Sequence, residues 1–320
     1  MMGLYGRPSV AAPESNSLKY GTGGGHGGPP AQVSSNFFML FERTKMRACL
    51  LVAVLSAAAI AVQAQSSVGP QTVTVRSGSL KLRALLWRPN GQGPFPAVLF
   101  NHGSGASPER QSSQAVTVGP IFARHGYVLL FLFRRGSGLS ANQGISAADA
   151  MARASKKGQA ARNKMQMRLL ENDQLNDALA GLAWLRARSE VDPNRIAVAG
   201  HSFGGSITLL MAQMDSRIRA ALDFGGAANS WLASPELRAR LLEAVGHAQA
   251  PIYFIQAAND YSVAPTEAMD AEMSRLGKPH STRIYPAEGQ TPEEGHDFIF
   301  RRVDLWEPDV FVFLQKYMKP

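Results

Sequence analysis

The sequence predicts an α/β fold, a mostly parallel central sheet with helices on both faces. Three observations lead there. Predominantly apolar runs at residues 97–100, 127–133, 195–199, 218–224 and 252–256 alternate with stretches of helical periodicity. Strands buried on both faces read as continuous hydrophobic runs, and parallel neighbours need intervening helices as crossovers. Polar, glycine-rich segments directly follow three of these runs, at 101–105, 134–138 and 200–205. Right-handed crossovers place ligand sites at such carboxyl ends.

The elements follow in order. Residues 71–76 and 80–88 flank Ser77-Gly78-Ser79 and read as an opening hairpin. Residues 97–100 form the first buried strand. A helix then ends at Arg124-His125-Gly126, with Gly126 as its left-handed cap. Residues 127–133 are the second buried strand. Residues 140–163 are long, polar and Ala-rich, a candidate lid or flap above the sheet edge. From 164 to 188, Met167, Leu170, Leu175, Ala178, Leu179, Leu182 and Leu185 recur at helical spacing and predict one helix. Asp192-Pro193-Asn194 turns into the third buried strand at 195–199, followed by a helix at 204–214. Strands at 218–224, 252–256 and 282–285 and a closing helix at 309–319 complete the chain.

The amino-terminal region reads differently. Residues 21–30 are six Gly with two Pro, one Thr and one His, and cannot bury enough apolar surface to offset their ordering entropy. Met46-Arg47, an apolar run at 48–62 and Val62-Gln63-Ala64 have the order of a signal peptide cut before Gln65. Residues 1–45 are therefore expected to be a non-native upstream extension, 46–64 a signal peptide, and 65–320 the folded domain. The apolar run is short and Ala-rich against the roughly 20 residues a membrane span needs, so no stable membrane association is expected after cleavage. The expected location is periplasmic or secreted. The only cysteine, Cys49, lies upstream of the cut. That excludes a disulfide scaffold, a Cys-ligated metal and a Cys nucleophile in the mature chain.

Net charge is +9 for the whole chain and +6 from Gln65 onward, with 28 Lys/Arg against 22 Asp/Glu. Six basic residues and no acid stand between Asp149 and Glu171: Arg153, Lys156, Lys157, Arg162, Lys164 and Arg168. The stretch has no interleaved aromatics and no nucleic-acid motif, so it reads as solvated surface, and no nucleic-acid partner is expected.

Gly200-His201-Ser202-Phe203-Gly204 follows a strand and opens a helix, the context of a nucleophile elbow. The sharp turn exposes the Ser202 hydroxyl, and the glycines make room for it. A serine needs a base to take its proton. His247 stands near a helix end and His280 enters the last strand, whereas His296 lies past that strand in an expected loop that can reach over the strand ends. An acid must orient the imidazole. Asp260, after the run at 252–256, is preferred to Asp223 at the end of the preceding strand, and Asp297 adjoins His296 too closely to buttress its ring. The oxyanion donors are expected at the backbone N–H of Phe203 and of Ser104, with Gly103 next, and the His102 ring is expected to brace that loop. Arg134-Arg135-Gly136-Ser137-Gly138 either shapes the substrate pocket or is an ordinary turn. Glu293, Glu294, His296 and Asp297 lack metal-ligand spacing, so neither metal nor cofactor is expected.

Together these segments resemble the α/β-hydrolase superfamily, in its dienelactone hydrolase-like and prolyl oligopeptidase-like branch. Asn101-His102-Gly103-Ser104-Gly105, Gly200 to Gly205, and the 259–265 run followed by Gly295-His296-Asp297-Phe298 carry the resemblance, which spans about residues 71–318. It implies a serine hydrolase of the carboxylesterase kind acting on a small-molecule ester through Ser202, His296 and Asp260. Dienelactone hydrolases proper carry Cys at the nucleophile, and Ser202 there favours an esterase or acyl hydrolase over a lactonase. An exported peptidase or acyltransferase using the same residues, or an inactive hydrolase-like binding protein, is the alternative. Oligomeric state is not legible.

Overall fold

The computed structural model describes residues 24–25, 69–105 and 107–319. The expected upstream extension and signal peptide lie outside the described residues. An eight-stranded sheet runs β1 (Gln71–Ser77), β2 (Leu80–Trp87), β3 (Phe95–Asn101), β4 (Val128–Leu132), β5 (Val191–His201), β6 (Ile218–Phe224), β7 (Ile252–Ala257) and β8 (His280–Tyr285). Its spatial order is β1-β2-β4-β3-β5-β6-β7-β8. β1 and β2 form the hairpin, β2 also pairs antiparallel with β4, and every later pairing is parallel. β3 and β5 are central, and both deliver glycine-rich segments to one end of the sheet.

The pleat explains the two cores. Leu99, Leu130, Leu132 and Val198 point to one face, with Leu175, Leu182, Ile207 and Leu241 from the helices that cover it. Their strand neighbours Val98, Phe100, Leu129, Phe131 and Ala199 point to the other, against Phe122, Trp306, Val310 and Phe311. Alternate residues of one strand thus feed two apolar layers, and each fully buried large side chain contributes about 1.5–3 kcal/mol. The second face is covered by α1 (Pro108–Arg124) and the closing helix, and Gly126 after α1 takes a left-handed φ of 85°.

Three elements differ from the sequence expectation. The single helix at 164–188 is two, α3 (Gln159–Glu171) and α4 (Asp173–Arg186), broken at Asn172, whose φ and ψ are −130° and −93°. The apolar spacing already slips there, with five positions between Leu170 and Leu175 instead of three or four, and the Asn172 amide bonds back to the Arg168 carbonyl at 3.1 Å. The region 140–163 is largely helical, with α2 (Ala147–Ser155) leading into α3. The remaining helices are α5 (Phe203–Met214), α6 (Pro235–His247), α7 (Ala264–Arg275), α8 (Pro292–His296), α9 (Phe298–Arg301) and α10 (Val303–Tyr317). α10 begins six residues before the expected start and carries Pro308 inside it. Trp306 holds this extra turn, fully buried, with its indole N–H on the Ile299 carbonyl at 2.8 Å.

Candidate active site

The turn between β5 and α5 is the most strained point near the sheet. Ser202 sits at φ 58° and ψ −122°, one of two non-glycine residues with positive φ among the described residues. Such a conformation persists only when its surroundings over-determine it. The Ser202 N–H is held by the Phe224 carbonyl at 2.9 Å, so the end of β6 fixes the turn. A Cβ on Gly204 would collide with the Asn101 carbonyl, and one on Gly200 with the Gly204 carbonyl. Only glycines at both positions let the helix start this close to β3. The Phe203 N–H is the first of α5 and has no partner in the helical ladder.

Ser202 opens into a cavity of about 290 Å³ lined also by Gly103, Ser104, Arg110, Arg162, Tyr261 and His296. His296 is the last residue of the short helix α8, not a loop residue. A capping box between Thr291 and Glu294 stabilises that helix and so fixes where the imidazole emerges. His296 Nδ1 lies 2.8 Å from Asp260 Oδ1. The carboxylate is acceptor-only, so Nδ1 carries the proton and Nε2 keeps its lone pair. Asp260 follows β7 and is nearly buried, and it accepts two further bonds, from the Tyr261 N–H at 2.7 Å and the Gln256 amide at 2.8 Å. Three donors around one carboxylate fix its position. The Tyr261 ring stands edge-on to His296 with centroids 5.2 Å apart.

Asp223, the rival acid, does not bond His296. It is buried beneath the elbow, with Oδ1 on the Gly226 N–H at 3.0 Å and no partner for Oδ2 among the described residues. Burial pushes its carboxyl up to about 7, against the Gly226 bond and with the Asp260 charge adding to the rise. The native state therefore holds a proton that the unfolded chain, with an ordinary aspartate near 3.9, releases. Stability from this group falls as pH rises from about 4 through 7. Asp223→Asn is expected to flatten that fall, so that its melting temperature relative to the parent rises between pH 4.5 and 7.5. Parallel thermal melts check this, and equal pH slopes would refute it.

Asp297 turns away from the imidazole to pair with Arg110. His247 ends α6 and His280 begins β8, and neither lines the cavity. Arg134-Arg135 does not shape the pocket. The Arg135 guanidinium forks onto Asp177 at 2.8 Å from two nitrogens, and Arg134 is fully buried behind His102. Among the described residues no group of three or more His, Cys, Asp or Glu is arranged to hold a metal.

Two neighbours of the site escaped sequence reasoning. His201 donates from Nε2 to the His296 carbonyl at 2.8 Å, tying the elbow to α8, and burial with the adjacent His296 lowers its basicity. A histidine directly before the serine was its only signal. Arg162 is the second: the other five basic residues of 149–171 are exposed, and Arg162 alone lines the cavity.

A serine at left-handed φ between a central parallel strand and a helix is the arrangement that defines the α/β-hydrolase fold. Residues 82–302 match the dienelactone hydrolase family, and the chain belongs to it. Among curated proteins, the quorum-quenching protein AidA of Acinetobacter baumannii is 27% identical over 153 residues, 48% of this chain and 42% of that one. The polyketide transferase grgF of a Penicillium species is 29% identical over 174 residues, 51% and 52% of the two chains. The chain thus spans about half the length of these curated relatives or less. Solved structures share the fold at low identity. Est1E of Butyrivibrio proteoclasticus, with ferulic acid bound, is 19% identical with a TM-score of 0.58, covering 78% of this chain and 100% of that one. A dienelactone hydrolase of Anabaena variabilis is 19% identical with a TM-score of 0.54, covering 79% and 100%.

Proposed function

We propose that this chain is an exported serine hydrolase that cleaves carboxylic ester bonds through Ser202, His296 and Asp260. The observation that carries the reading is the Asp260–His296 pair at 2.8 Å, on the wall of the cavity into which the strained Ser202 opens. Ser202 Oγ attacks the ester carbonyl while His296 Nε2 takes its proton. The new oxyanion is received by the N–H of Phe203 and by the loop at Gly103 and Ser104. The imidazolium, held by Asp260, gives the proton to the departing alkoxide, leaving an acyl-serine. Water, deprotonated by the same imidazole, attacks the acyl carbon, and the proton returns to Ser202 as the acid departs. No step calls for a metal or cofactor. Labelling with a fluorophosphonate probe, followed by mass spectrometry of the labelled peptide, tests the reading. Modification at Ser202 supports it, and an unlabelled folded protein refutes it.

The similarity to a polyketide transferase favours one further question, whether an alcohol replaces water at the acyl-serine. A yield of transferred ester that rises with added alcohol would identify an acyltransferase. Export is proposed from the order of residues 46–66. An amino terminus at Gln65 in the secreted protein supports it, and one upstream of Met46 refutes it.

The cavity also points to the substrate's charge. Arg110 is paired with Asp297, and Glu293 accepts from the Tyr261 hydroxyl at 3.3 Å. Arg162 has only a long contact with Gln166, 3.4 Å, and no ion pair among the described residues. Glu293 is likewise without an ion pair among the described residues, so the preference is local: the Arg162 guanidinium offers a forked partner to an ester whose carboxylate reaches that wall of the cavity. Arg162→Gln is expected to raise KM for such an ester by about tenfold, equivalent to about 1.4 kcal/mol, and to leave a neutral ester of the same length unchanged. Equal effects on both esters would remove this selectivity from Arg162.

A further inference from the structure

Arg134 is a fully buried cation that no carboxylate touches. The nearest candidate, Asp177, is committed to the Arg135 fork. Desolvation pulls the Arg134 guanidinium down to about 9, so it stays charged at neutral pH. A charge buried this way is expensive unless its environment uses it. Its contacts converge on one loop. Nη2 donates to the His102 carbonyl at 2.5 Å, the Arg134 backbone N–H donates to His102 Nε2 at 3.1 Å, and Nε is anchored by the Gln174 side-chain oxygen at 2.9 Å.

Those bonds fix the next ones. With Nε2 accepting, the His102 proton lies on Nδ1, which donates to the Gly103 carbonyl at 2.6 Å. Burial and the Arg134 charge keep that ring neutral. The carbonyls of both residue 102 and residue 103 are therefore pinned on the buried side of the loop. In a planar trans peptide the following N–H points opposite to its carbonyl. The N–H groups of Gly103 and Ser104 accordingly face away from Arg134 and His102, and both residues line the cavity with Ser202. Gly103 packs so closely there that a Cβ on it would stand 3.3 Å from the Ser202 Cβ.

We infer that Arg134 is a positioning residue for the oxyanion site. Through the carbonyl and ring of His102 it fixes the direction of the Gly103 and Ser104 N–H groups. Its charge on the His102 carbonyl also polarises that peptide, making the Gly103 N–H a stronger donor where negative charge develops. This inference rests on the serine-hydrolase reading of the same site.

Steady-state kinetics on a nitrophenyl ester, with inhibition by phenylboronic acid and by a product carboxylic acid, test it. Arg134→Met is expected to lower kcat roughly 10- to 100-fold, less than the roughly 10²- to 10³-fold cost of deleting an oxyanion donor outright, with KM changed less than about threefold. Phenylboronic acid, which forms a tetrahedral adduct on the serine, should weaken by a comparable factor, and the product acid should not. Arg134→Lys should recover part of the loss. If Arg134→Met does not fold, Gln174→Met decides, because it frees Nε while leaving Arg134 and His102 in place. A severalfold loss of kcat at unchanged KM supports the inference, and unchanged kcat overturns it. Boronate affinity equal to the parent's in either folded variant also overturns it. If the parent protein neither hydrolyses the ester nor labels at Ser202, the reading of the site has failed instead.

Discussion

Ser202→Ala is expected to lower kcat for a nitrophenyl ester by roughly 10⁴- to 10⁶-fold, the scale on which removal of a nucleophile acts in sites whose members work as a unit. The change deletes one oxygen and keeps the Cβ, so the strained turn, its bond from the Ser202 N–H to Phe224 and the start of α5 remain. Melting temperature should stay close to the parent's, because the backbone strain at φ 58° belongs to the turn and alanine inherits it. Residual turnover above the water rate should persist from the backbone donors alone. Active-site titration beside the kinetics separates a true residual rate from contaminating parent enzyme. Hydrolysis within tenfold of the parent would remove Ser202 from the mechanism.

Asp260→Ala is expected to lower kcat by about 10⁴-fold, with a smaller effect on KM. Two losses combine. His296 no longer has an acceptor to hold its proton on Nδ1, and the imidazolium formed during attack loses its counter-charge. The Gln256 amide keeps its bond to the Ser262 carbonyl at 2.8 Å, but the Tyr261 N–H is left without its acceptor. A stability loss of about 1–3 kcal/mol should therefore accompany the kinetic one. Asp223→Asn is the informative control. It removes the other carboxyl near the elbow, and kcat should stay within a few-fold of the parent. The reverse pattern, with Asp223 essential and Asp260 dispensable, would transfer the acid's role to β6.

The parallel sheet was legible because its strands are buried on both faces and so read as short apolar runs, such as 97–100, separated by segments of helical length and spacing. The positions of Ser202 and Asp260 were legible from strand ends that must turn: Ser202 directly follows β5, and Asp260 stands three residues past the end of β7. His296 was legible as a residue, but its helix was not: α8 is too short for periodicity, and only its Thr291–Glu294 cap marks it. The break at Asn172 hid in a spacing slip of one residue. Arg134 was the hardest to read. In sequence it is one of two adjacent arginines before a glycine-rich turn, past the end of β4, where strand alternation no longer assigns a side-chain direction. Burial and the 102–134 contacts, which join residues 32 apart, belong to tertiary structure. Arg162 was misread for a related reason, since composition describes the whole stretch and helix phase singles out one member.

Helices α2 and α3 contribute Met151, Arg162 and Gln166 to the cavity, whereas the proposed reacting groups stand at the end of β5, past the end of β7 and on α8 after β8. The cavity wall therefore has two sources, this helical pair and the strand-end segments, where Tyr261, Glu293 and Asp297 also line it. Changes confined to α2 and α3 can reshape one wall of the cavity while the strand ends stay as they are. Editing that helical pair is accordingly a route to new substrates that leaves Ser202, Asp260 and His296 untouched.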